Sequence, residues 1–144
     1  MTTPRTFATA SITSDTAQAL IAAANAASRD IGIQVTVAVT DAGGHLTALA
    51  RNDGAPFLTV NVAIDKAWTA ASFGLATHVW SDVIANPQVA QLAHQPRLVA
   101  VGGGVPIVAA GRVVGGIGIS GGNAAQDRQA AEIALKALGF DVAN

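Results

Sequence analysis

The chain has 144 residues, enough for one domain around a single core, and 51% of them are hydrophobic. Charged residues are sparse, at 12%, and balanced, eight basic against nine acidic, with no run of either sign; nucleic acid and anionic membranes are poor partners for such a chain. The absence of cysteine excludes disulfides, zinc–thiolate sites, iron–sulfur clusters and covalently attached c-type haem.

Residues 1–11 read as an N-terminal extension and residues 12–144 as one domain. Met1 to Thr13 is threonine-rich and lacks the apolar segment of a secretory signal, so a cytoplasmic location is the expectation. Thr13 is suited to cap a helix that carries Asp15 in its first turn, places Ala17, Leu20, Ile21, Ala24, Ala27 and Ile31 at helical spacing, and ends at Gly32. Val35, Val37 and Val39 alternate with Thr36, Ala38 and Thr40 as a strand does; Asp41-Ala42-Gly43-Gly44 is a turn, and Leu46 to Arg51 returns as the second strand of a hairpin. After the break at Arg51-Asn52-Asp53-Gly54-Ala55-Pro56, the pattern predicts a helix from about Phe57 to Phe73.

Thr77 to Ala85 is readable as a short helix, with Asn86-Pro87 starting another. Leu98–Val101 and Ile107–Ala110 read as short strands, and Gly111-Arg112 as a hairpin turn into a strand from Val113 to Ile119. The charge-free run Leu98 to Gly111 contains Pro106 and is too short and glycine-rich to span a bilayer. Asn123 and Gln126 form a capping-box pattern ahead of a last helix whose apolar positions are Ala130, Ile133, Ala134, Ala137 and Leu138. Short turns between strands predict an antiparallel sheet of about five strands, and the class is α+β. Sparse charge with a mean hydropathy of +0.43 predicts a homo-oligomer, since buried interfaces relieve the need for a polar skin.

Nine of the 15 glycines lie between Gly102 and Gly122, where Gly116-Ile117-Gly118-Ile119-Ser120-Gly121 spells G-x-G-x-x-G. A dinucleotide fold needs a second parallel strand and an acidic residue about 20 positions beyond that motif. The 23 residues after Gly121 read as one helix, so the nicotinamide reading fails. Two readings of the glycines stay open. Glycines 115, 116 and 118 suit close approach of a packed helix or a second subunit. Gly121 and Gly122 ahead of Asn123 offer helix N-terminal amides to an anion such as a carboxylate.

Three blocks carry a family resemblance: Val39 to Leu46 with Arg51-Asn52-Asp53-Gly54-Ala55; Asp65 to Phe73; and Gly103 to Ile107 through Val114 to Gly122 with Gln126-Asp127. In order and spacing the chain resembles the GlcG/HbpS-like family of haem-binding and haem-degrading domains, which is similar to the C-terminal domain of PduO-type cobalamin adenosyltransferases. The resemblance covers roughly residues 12 to 140. It implies a profilin-like α/β/α sandwich, assemblies from dimer to octamer, and haem binding in some members.

Lys66, one of two lysines, lies among Val62, Ala63, Ala67 and Ala70, where it either reaches the surface or enters a cleft as a base of depressed pKa. Arg51 and Asp53 stand at a strand end and in the loop after it, as a carboxylate clamp or as a loop brace. Gly103, Gly104, Thr77, Ser120, Gly121 and Gly122 are candidate ligand contacts; Ser120 lacks the nucleophile elbow. The resemblance implies a histidine donor for haem on the first helix, but Ala17 to Ile31 has none, which leaves His78, ahead of His45 and His94, as the substitute iron ligand. Trp68 and Trp80 read as core or interface residues. Two functions remain: a cytoplasmic oligomer binding haem or a small carboxylate-bearing ligand, or a cofactor-free lyase or isomerase of a small organic acid at a subunit interface. In the second, Arg51 clamps the carboxylate, Lys66 is the general acid or base, and the Gly121-Gly122 amides stabilise developing charge.

Overall fold

The computed structural model describes residues 2–142. Helix α1 (Ser14–Ile31) begins where the Thr13 hydroxyl accepts the Thr16 amide and ends at left-handed Gly32 (φ 90°). The hairpin β1 (Thr36–Asp41) and β2 (Leu46–Arg51) follows, then α2 (Leu58–Phe73), α3 (Thr77–Val83) and a 3-10 turn at Ala90–His94. A second hairpin, β3 (Gly104–Ala109) and β4 (Arg112–Ser120), leads into α4 (Ala124–Ala137). All pairings are antiparallel, in the order β2-β1-β4-β3, so this α+β fold has one four-stranded sheet.

The missing fifth strand is Leu98–Val101. Arg97 turns the backbone left-handed (φ 70°), and the Val99 amide donates to the Thr69 hydroxyl (3.1 Å) rather than to a neighbouring strand. Nor does Asn86-Pro87 start a helix: the Asn86 carboxamide accepts the Gln88 amide in a local turn, and a 3-10 turn begins three residues later. The second hairpin turns at Ala110-Gly111, both with positive φ (52° and 74°), one residue earlier than the sequence suggests. Positive φ at both central residues is the type I′ geometry that matches strand twist.

Strand alternation sorts the sheet into two unlike surfaces. Val37, Val39, Val105, Ile107, Ile117 and Ile119 join Leu20, Ala24, Ala130, Ala134 and Leu135 in the main core under α1 and α4. The other surface carries Thr36, Ala38, Thr40, Gly104, Pro106, Gly116 and Gly118, and α2 lies directly on it. A Cβ at Gly118 would strike the Ala63 carbonyl, one at Gly116 the Ala67 carbonyl, and one at Gly104 the Lys66 carbonyl. The helix therefore rests on the sheet through its own main chain, which is why its buried positions are mostly alanine and threonine. This is the packing reading of the glycine block, with a helix as the close neighbour.

Trp80 is buried, edge-on to Phe73 at 5.5 Å, and half-buried Trp68 lies beneath the β1–β2 turn with the Arg97 guanidinium 4.5 Å from its ring centre.

Candidate functional site

Because α2 sits so low on the sheet, Lys66 cannot lift its side chain to solvent along the helix surface. Only 3% exposed, it runs to the end of β4, where Nζ donates to the Ile119 carbonyl (2.9 Å) and to Asp127 Oδ2 (3.2 Å). Asp127, 2% exposed in the first turn of α4, accepts the Gly122 amide on its other oxygen (2.8 Å). Gly103 closes over the pair with φ 129°; a Cβ there would stand 2.8 Å from Lys66 Nζ and 2.9 Å from Asp127 Cβ. Thr77, fully buried, accepts the Gly104 amide on its hydroxyl (2.8 Å) and holds the next residue of the same loop. Burial pushes the Lys66 ammonium below its ordinary pKa, while the charge and hydrogen bond of Asp127 oppose that shift.

The structure thus brings together Lys66, Thr77, Gly103, Gly104, Ser120, Gly121 and Gly122 as a closed joint between layers. Both sequence alternatives for Lys66 are corrected: it reaches neither the surface nor a cleft. Of the Gly121-Gly122 amides, that of Gly122 is corrected, because Asp127 occupies its N–H, and the Gln126 carboxamide occupies that of Asn123 beyond it (3.0 Å).

Arg51 and Asp53 lie elsewhere. One guanidinium nitrogen of Arg51, Nη1, donates to the carbonyls of Ala55 (2.9 Å), Asp53 (3.3 Å) and Asn52 (3.4 Å), folding the loop around itself. Asp53 is exposed. Both border an open polar pocket of about 700 Å³ with Asn25, Arg29 and Gln34, and Lys66 does not reach it. The lyase constellation of Lys66, Arg51 and Gly121-Gly122 is therefore not assembled: its base is sealed, its clamp braces a loop, and its oxyanion amide is occupied.

His78, one residue into α3, lines a cavity of about 270 Å³ with Ser81, Gly102, Ala124, Ala125 and Arg128. Its Nδ1 is buried and has no hydrogen-bond partner among the described residues. Burial depresses the imidazole pKa, the Arg128 charge depresses it further, and Glu132 and Asp82 counteract. Arg128 itself donates Nε to Glu132 (2.6 Å). A groove of about 420 Å³ continues along α4 past Gln129, Ile133 and Lys136.

Haem needs an axial donor inside an apolar wall. The cavity at His78 is smaller than the roughly 300–1,000 Å³ of ordinary ligand pockets, and its lining of Gly102, Ala124, Ala125, Ser81 and Arg128 has no large apolar side chain to wall a macrocycle. His45 is spent on Asp41 (3.0 Å) with its side chain 80% exposed, and His94 is exposed on the 3-10 turn. One chain, over the described residues, does not fit haem on His78. No three histidine or carboxylate side chains among those residues converge as a metal site, and no helix among them is long and apolar enough to cross a membrane.

Sequence reasoning missed Asp127 and Arg128 as site residues. For Asp127 a signal existed, since a lysine within an apolar helix requires a buried counter-charge; for Arg128 there was none.

Residues 12–136 match the family described as "Haem degrading protein HbpS-like". The chain is 36% identical over 129 residues to the "15.0 kDa protein in dhaT-dhaS intergenic region" of Citrobacter freundii, covering 88% of this chain and 91% of that one. A double mutant of Streptomyces reticuli HbpS superposes with a TM-score of 0.88 at 30% identity, covering 96% of this chain and 94% of that one. A PduOC:heme complex superposes with a TM-score of 0.84 at 30% identity, covering 93% and 99%. A match over nearly the whole chain, spanning all three resembling blocks, establishes that the chain belongs to the HbpS-like family.

Proposed function

We propose that this chain is a ligand-binding protein of its family, a cytoplasmic homo-oligomer, and that its ligand is haem or a small carboxylate-bearing molecule. The haem reading is carried by one observation: a relative of the same fold, matched over almost its whole length, is crystallised as a heme complex. The size of the cavity at His78 argues that such a ligand would be seated elsewhere on the molecule. Titration with haemin tests it. A saturable Soret band supports haem binding, and because the His78 cavity is too small for the ring, His78→Ala is expected to leave that band in place. A wild-type protein that gives no such band overturns the haem reading.

The carboxylate reading is carried by a second observation, the cavity beside His78 that the Arg128 side chain lines. Assembly is supported by 12% charge and by exposed Phe57 (90%), Phe73 (75%) and Leu58 (68%), which a lone chain would leave in water.

A further inference from the structure

We propose that the cavity between α3 and the start of α4 binds a small carboxylate or a comparable oxyanion, held by the Arg128 guanidinium, the Ala124 and Ala125 amides and the His78 ring. The inference rests on the carboxylate half of the function proposed above and gives it a site. A volume of about 270 Å³ suits an acid of a few carbons.

The candidate donors lie on two elements, α3 and the start of α4. A helix leaves its first amides without internal acceptors. At this terminus the Asn123 carboxamide takes the Gln126 amide (2.8 Å), and the Asn123 carbonyl takes that of Asp127 (2.9 Å). The Ala124 and Ala125 amides are thus left over, and both residues line the cavity. The positive end of the helix dipole favours an anion there. Arg128 commits only Nε to Glu132, so both terminal guanidinium nitrogens remain to form a charge-assisted pair.

Across the cavity stands the His78 ring, whose Nδ1 is sealed from solvent and has no hydrogen-bond partner among the described residues. Ser81 adds a hydroxyl one turn along α3. The charges acting on His78 are Arg128, Glu132 and Asp82, with Arg128 the strongest. Glu132 lines the neighbouring groove, and neither carboxylate lines the cavity. Gly102 brings the loop main chain against both helices: a Cβ there would lie 3.2 Å from the Ala124 carbonyl and 3.4 Å from His78 Cβ.

The test is an NMR titration of the three imidazoles in the full chain, with acetate and then malonate added against sodium chloride at matched ionic strength. A bound anion stabilises the imidazolium, so the His78 midpoint is expected to rise saturably while exposed His45 and His94 stay in place. Arg128→Gln is expected to abolish the response; the Arg128–Glu132 pair lies at the surface, so the fold should survive its loss. Ala124→Pro gives an independent check. Proline is tolerated at the first helical position, and Asn123 before it is already extended (φ −76°, ψ 169°), so one amide donor is lost and the response should weaken. No saturable shift, an equal shift with chloride, or a full response in Arg128→Gln overturns the site. A Soret band alongside any of these results leaves haem binding standing and removes only this inference.

Discussion

Lys66 shows what a single buried charge requires. Taking an ammonium and a carboxylate out of water costs several kcal/mol each, and their attraction offsets this only when the remaining donors and acceptors are met. Here the Ile119 carbonyl and the Gly122 amide supply those partners. Lys66→Met would strand the Asp127 carboxylate, and we expect it to lower the unfolding free energy by about 3–5 kcal/mol, measured by urea denaturation. Lys66→Met combined with Asp127→Asn should recover part of that loss, since asparagine still accepts from Gly122. A single variant as stable as the wild type would show that the pair does not hold the joint. The lysine was legible in the sequence as an oddity on an apolar helix. Its partner was not, because 61 residues separate them and only the fold makes them neighbours. Arg51 was visible as a loop-end charge, but its choice of carbonyls over a ligand depends on how residues 52–55 curl back.

Elements were more legible than the site. Caps write themselves into short stretches, so Thr13, Gly32 and the Asn123–Gln126 box could be read directly, and the structure has all of them. Leu98–Val101 misled because its apolar composition is that of a strand, while what decides it is the distant Thr69 hydroxyl. The anion-ready terminus at Gly121-Gly122 misled for a related reason: the Asp127 and Gln126 side chains fold back onto the Gly122 and Asn123 amides, and the amides left over lie further on, at Ala124 and Ala125. The glycine row was visible, but which neighbour it admits was not. That row makes a sharp prediction. In Gly118→Ala the new methyl meets the Ala63 carbonyl, so α2 must rise or the strand must bend. Overpacking of this sort costs about 1–3 kcal/mol, read as a lower urea midpoint with an unchanged slope. Gly111→Ala is the control for added bulk, since open space surrounds Gly111, though its positive φ (74°) carries a smaller strain of its own.

On the scale of the whole molecule, the order of elements and the α+β class follow from periodicity and turn spacing, and the family from the three sequence blocks. What periodicity does not report is how the outside of the molecule is finished. Phe57 and Leu58 stand exposed at one end of α2 and Phe73 at the other, with Leu46 and Leu49 on the edge strand β2. Light scattering after size exclusion is expected to give a mass that is a multiple of 14.3 kDa. A monomer at micromolar concentration would overturn the assembly proposal and leave these side chains as ordinary surface.

The Lys66–Asp127 joint has a consequence for how the protein comes apart. Lysine belongs to the helix on one side of the sheet and aspartate to the helix on the other, and they meet around the end of β4. Neither layer can peel from the sheet without exposing an unmatched charge to the apolar interior of the other. Partial opening is therefore penalised twice, and we expect hydrogen-exchange NMR to show the amides of the two layers exchanging with solvent together rather than helix by helix.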